Sequence, residues 1–220
     1  MTDDQIRSPL LDRLYQRYLN DEDSARFIQS VSERYTIGSL KRLCRFGQIN
    51  SRRSATLALG FLGDFAVNES MGRSLQDDDR GVRLLADHGI RQIWTRQGAP
   101  ALQAGVRRLY RLVIQNRLED AIEDATRLIA YDPTLGEAWN QRAIAFCALG
   151  EFEAAAEDCR ETLNCNRYHF PAAMGMGHCM LQMDDAVSAL ECFRLALSIN
   201  PDLEGVRNHI FQIERTLEGS

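Results

Sequence analysis

Apolar residues along this chain recur at intervals of three and four, the spacing of one helix face, and nowhere alternate over a run long enough for a convincing strand. Leu10, Leu11, Leu14, Tyr18 and Leu19 form one such stripe, and Phe27, Ile28, Val31 and Tyr35 a second. Asp21–Asp23 between them places acidic groups where a helix N-terminus favours negative charge. Trp139, Arg142, Ala143 and Phe146 stand at i, i+3, i+4 and i+7, and Gly150 ends that helix because glycine tolerates a positive φ. A following helix is predicted from about Glu153 to Cys165, with Ala155, Cys159, Thr162 and Leu163 inward. Near the C-terminus Val206, Ile210, Ile213 and Leu217 fall on one stripe in an otherwise polar segment, which predicts a terminal capping helix. The pattern reads as all-α, with about a dozen helices.

The pattern also repeats. A 34-residue shift aligns 102–135, 136–169 and 170–203, bringing Ala121, Ala155 and Ala189 into register. Leu118, Phe152 and Ala186 coincide three residues earlier, and Ile129, Leu163 and Leu197 eight residues later. Each unit is a helical hairpin whose small central residue lets two helices approach, and Pro133 and Pro201 close the first and third. Trp139, Phe146, Gly150, Phe152 and Ala155, then Gly177, Ala189, Phe193, Ala196 and Pro201, resemble the tetratricopeptide repeat (TPR) family over 102–203. The first unit departs with Gly105 and Leu109, and the second with Arg167 in place of the closing proline.

Upstream, a 31-residue shift pairs Ala55 with Ala86, Leu59 with Ile90 and Leu62 with Ile93. With Asp79, Val82 and Arg83 ahead of the second copy, this resembles short HEAT repeats over about 36–96. The two resemblances imply a right-handed α-solenoid, one continuous superhelix. Its expected divisions are an N-terminal helical cap at 1–35, HEAT-like repeats at 36–100, and three TPR units with the capping helix at 101–220. The junction is expected at 96–100.

Composition narrows the function more than the fold. With 45% apolar and 26% charged residues the 220-residue chain is of the ordinary globular type. The net charge of −5 is too balanced to mark a polyanion binder, but its distribution is uneven, +2 over residues 1–100 and −7 beyond. Arg34, Lys41, Arg42, Arg45, Arg52 and Arg53 occur with no acid between Arg34 and Gly63. That stretch is either a set of solvated helix faces or a patch for a polyanion or acidic partner. Six cysteines, an N-terminus without an apolar leader core, and no run of about 20 apolar residues predict a cytoplasmic protein with reduced thiols and no membrane insertion.

Catalytic chemistry is hard to assemble from these residues. No pair of cysteines has C-x-x-C spacing, and Cys159, Cys179 and Cys192 fall at helix-packing positions, so no metal site is expected. The glycines of "MGMGHCM" lie inside a first repeat helix, where Gly177 is a close-packing residue rather than part of a phosphate cradle. Asp79 is expected to cap the helix after it, with Arg83 as ion-pair neighbour, and Glu119, Asp120, Glu123 and Asp124 to form a solvated face. No catalytic residue and no cofactor are predicted.

What remains is a surface. First helices of successive units line the groove of such a stack. The face opposite the packing stripe carries Val106, Tyr110, Asn140, Ile144, Met174, His178 and Asn208, with Arg107 beside it. Amides to bond a peptide backbone among apolar side chains suit an extended or helical segment of another protein. Some TPR domains clamp acidic chaperone tails with lysines and asparagines; here Val106, Tyr110, Gln141 and Gly175 hold those positions and lysine is absent from the TPR region. The expectation is a non-catalytic scaffold or adaptor. The alternative is a nucleic-acid-associated protein using Lys41, Arg42, Arg45, Arg52 and Arg53; a lyase-type enzyme is the third reading, set aside for want of catalytic groups.

Overall fold

The computed structural model describes residues 9–218, all helix and connecting turns, with no strand among them. Contacts divide the chain after Ile93 into two compact units.

The first unit holds α1 (Leu10–Asp21), α2 (Ser24–Ser32), α3 (Ile37–Phe46), α4 (Ile49–Leu62), a 3-10 turn at Phe65–Val67, α5 (Asn68–Ser74) and most of α6 (Arg80–Trp94). Asp23 caps α2 by accepting the Arg26 N–H at 2.9 Å, and Thr36 caps α3 through Ser39 at 3.1 Å. α1 and α2 pack on α4, with Leu11, Tyr15, Phe27 and Val31 buried and an aromatic cluster of Tyr18, Phe27 and Phe61. α3 packs on α4 and α5. Of the pairs made by the 31-residue shift, Ala55 with Ala86 and Leu59 with Ile90 are fully buried, whereas Leu62 is half-buried and Ile93 fully buried. α4 and α6 touch backbone to backbone: a Cβ added at Gly60 would stand 3.0 Å from the Gly89 Cα.

The second unit begins at Trp94 and stacks α7 (Pro100–Ile114), α8 (Leu118–Tyr131), α9 (Gly136–Leu149), α10 (Phe152–Cys165), α11 (Phe170–Gln182), α12 (Ala186–Ile199) and α13 (Glu204–Glu218). Each helix packs on the next, and α9 packs also on α7 and α11, the geometry of stacked hairpins. Ala121, Ala155 and Ala189, in register by sequence, are fully buried at the helix crossings. Gly177 is required by contact, because a Cβ there would meet the Phe193 ring at 2.9 Å. Gly150 is required by conformation, closing α9 at φ +84°. Arg142, unexpected in a packing stripe, is accommodated by a bidentate bond to the buried Asp158 carboxylate at 2.7 and 2.9 Å. Its guanidinium lies 5.0 Å over Trp139 and 5.8 Å from Phe146.

Candidate functional site

The first helices of the repeats meet around one buried carboxylate. Glu137, in the first turn of α9, is 2% exposed. Its Oε2 accepts from the Tyr110 hydroxyl of α7 at 2.9 Å, and from the amides of Gln141 and Asn140 at 3.4 and 3.5 Å. Its Oε1 faces His169 Nε2 at 2.9 Å. The other ring nitrogen, Nδ1, accepts the Ala172 N–H at 3.1 Å and so caps α11, which leaves the proton on Nε2 to be donated to Glu137. The imidazole stacks on Trp94, centroids 4.2 Å apart at 25°, and Phe170 closes against the same indole. Burial pushes the Glu137 carboxyl up, but the bonds from His169, Tyr110 and Gln141 outweigh it and hold it below the ordinary carboxylate value. With every oxygen committed and solvent excluded, this is an arrangement that locks α7, α9 and α11 together.

That network changes the groove expected from sequence. Val106, 1% exposed, belongs to the core with Leu102, Leu109, Ala125 and Leu135. Asn140 is 7% exposed and turned to Glu137, and Tyr110 packs on the same core with its hydroxyl bonded. Val106 and Asn140 are thus interior, and Tyr110 is half-buried with its hydroxyl turned inward. A first helix is covered by its own partner and by the first helices on either side, so the face opposite one stripe is still interior.

The remaining candidates stay near the surface. Ile144 on α9 is 42% exposed, and Arg107 on α7 and Asn208 on α13 are exposed. Met174 is half-buried against the α12–α13 core. His178 is half-buried, edge-on to Phe193 at 5.1 Å and His209 at 5.0 Å; burial first and then His209 push its pKa down. Phe211 on α13 is exposed and was not anticipated.

The basic stretch also divides. Arg52 makes a bidentate pair with Asp77 at 2.8 and 2.9 Å, and Arg53 with Asp79 at 2.7 Å through both nitrogens. Arg53 lowers the Asp79 pKa to about 2, while the same carboxylate caps α6 through the Val82 N–H at 3.0 Å. Asp79 thus caps as expected, but the guanidinium closed on it is that of Arg53; Arg83 donates to the carbonyls of Asp77 and Asp78. Arg52 and Arg53 are therefore not open cations. Lys41, Arg42 and Arg45 are exposed on α3. On the supposed solvated face of α8, Asp124 is largely covered and ion-paired with Arg108 and Arg127.

No family model matches the chain. A TPR repeat-containing protein of Rhizobium etli is 22% identical over 131 residues, 60% of this chain. The chain spans 64% of that relative's length. Among solved structures, the first TPR domain of Spaghetti (RPAP3) bound to the HSP90 peptide SRMEEVD superposes with a TM-score of 0.51. It is 20% identical and covers 53% of this chain and 93% of that one. The first TPR domain of human RPAP3 gives the same score and identity, over 54% and 93%. The second unit has the TPR fold.

Within the TPR unit, the repeat register was legible and the Glu137 network was not. Its partners lie 27 residues before (Tyr110), 32 after (His169) and at the unit's first residue. The only sequence signal was an acid in the first turn of a first helix. Among the described residues no group of three metal-binding side chains converges, and no helix is long and apolar enough to cross a membrane.

Proposed function

We propose that the chain is a non-catalytic interaction module whose TPR unit binds a segment of another protein on the face carrying Ile144. The observation that supports this most is an aliphatic side chain left 42% exposed on the central first helix, in a unit whose other first helices leave Arg107 and Asn208 exposed and Met174 and His178 half-buried. The Glu137 network holds α7, α9 and α11 in register, so the surface is formed before any partner arrives, which lowers the entropy cost of binding. RPAP3's first TPR domain, similar in fold, holds an HSP90 peptide.

The face here suits a different sequence. Positions that would clamp an acidic tail are buried or bonded at Val106, Gln141 and Tyr110, and carry no side chain at Gly175. The segment favoured is amphipathic, with an aliphatic residue for Ile144 and Met174 and backbone groups for Asn208 and His178. A random 12-residue peptide library panned against the whole protein tests this. Selected peptides should be rich in aliphatic residues, and Ile144→Asp should weaken them by about 2 kcal/mol or more. A selection in which every aliphatic-rich peptide binds Ile144→Asp as tightly as the native chain refutes the face.

A further inference from the structure

We propose a second binding site, on the first unit, for an acidic peptide segment carrying an apolar residue beside its carboxylates. α3, α5 and the turn that follows α5 enclose an open cavity of about 630 Å³. Lys41, Arg42 and Arg45 stand on its wall, and among the described residues none of them has a carboxylate within ion-pair distance; the ring of Phe46, 4.9 Å from the Arg45 guanidinium, is what Arg45 meets. The other two cations in the lining are neutralised, Arg52 by Asp77 and Arg73 by Glu69 at 2.8 Å. The cavity is therefore a place where the chain supplies acids to some arginines and withholds them from three neighbours on one helix. Its floor is fixed: the buried Cys44 thiol lies 3.0 Å from the Ser74 hydroxyl and 3.2 Å from that of Thr56.

The chemistry of the walls selects among anions. Guanidinium groups receive carboxylates through two parallel N–H bonds. Phe46, 73% exposed at the end of α3 with Arg45 against its ring, is a flat apolar plate at the rim of the charged pocket. Glu69, Asp77 and Asp78 also line the cavity, so a backbone with a charge at every phosphate meets repulsion as well as attraction. A peptide spaces its carboxylates with neutral residues and brings the side chain that Phe46 can cover. This site makes no use of the TPR face and stands or falls without it.

The test is fluorescence anisotropy on the full chain with a fluorescein-labelled peptide GELEEFEG and its counterpart GQLQQFQG. The native protein should bind the acidic peptide at least about tenfold more tightly than the neutral one, with affinity falling as salt rises. Lys41→Glu with Arg42→Glu should remove at least about tenfold of that affinity, and Phe46→Ser a few-fold. Arg42→Gln with Arg45→Gln, which reverses no charge, is the second variant should the first fail to fold, and must weaken binding in the same direction. Ile144→Asp must leave the probe unaffected, which separates this site from the TPR face. Equal binding of the two peptides, no binding of the acidic one, unchanged affinity in either cation variant, or displacement by a 12-base-pair DNA duplex at lower concentration than by unlabelled peptide would each overturn the proposal.

Discussion

Replacing Glu137 by glutamine exchanges one oxygen for an amide nitrogen and leaves the shape of the side chain intact. The new NH2 group must face either the His169 Nε2–H or the Tyr110, Gln141 and Asn140 side, all of which now donate to the carboxylate. His169 cannot switch tautomer to help, because its Nδ1 accepts the Ala172 N–H. Hydrogen bonds to a charged acceptor contribute about 1.5–3 kcal/mol and neutral ones about 0.5–1.5. Losing one bond and weakening the others should therefore cost about 2–4 kcal/mol. The sign is the informative part. A buried charge is often a liability that a neutral isostere relieves. Here the carboxyl is held below its ordinary value despite burial, so the fold favours the charged form and neutralising it must destabilise. The assay is urea or thermal unfolding followed by tryptophan fluorescence. The two tryptophans, Trp94 and Trp139, both lie in the second unit, and Trp94 stacks on His169, so the signal reports this unit. A Tm drop of roughly 10 °C is expected for a unit of this size. Stability within about 0.5 kcal/mol of native, or an increase, would refute the reasoning.

Three further outcomes follow from named contacts. Ala155→Leu overpacks the α9–α10 crossing and should cost about 1–3 kcal/mol, while Ala154→Leu, half-buried beside it, should be near neutral; equal effects in chemical denaturation would contradict the register. Thiol titration should count six groups in denaturant and few in the native state, since Cys44, Cys159, Cys179 and Cys192 are buried and burial raises Cys179 to about 12; rapid native reaction of all six would contradict this. Asp79 and Glu137 both have lowered values when folded, so their contribution is full above the unfolded values of 3.8 and 4.5 and lost as pH falls. For Asp79 the loss falls between about pH 4 and 2, and Asp79→Asn should flatten the Tm profile across that window; an unchanged slope would show that the Arg53 pair adds nothing.

The helices and their register were legible because each repeat writes the same contact in the same residue type. Ala121, Ala155 and Ala189 are small because a helix crosses there, and Gly150 and Gly177 because a backbone angle or a ring demands it. The surface was harder to read. Helical spacing identifies the face turned to a helix's own partner, but not what the adjacent repeats cover, and so Val106 and Asn140 were placed outside when they lie within. Charge was misread for a similar reason. Arg52 and Arg53 stand in a run without acids, and their carboxylates arrive from Asp77 and Asp79, 25 and 26 residues away. Lys41, Arg42 and Arg45 stand in the same run, and only the folded chain distinguishes them.

Hydrogen exchange of the full chain, free and saturated with an aliphatic-rich, uncharged peptide selected against it, tests the central claim most directly. If the TPR unit binds through the face around Ile144, protection should rise in α9, α11 and α13, and Ile144→Asp should abolish the change at the same peptide concentration. Protection confined to α3 and α5, or a pattern that survives Ile144→Asp, would place the binding surface elsewhere and contradict the account.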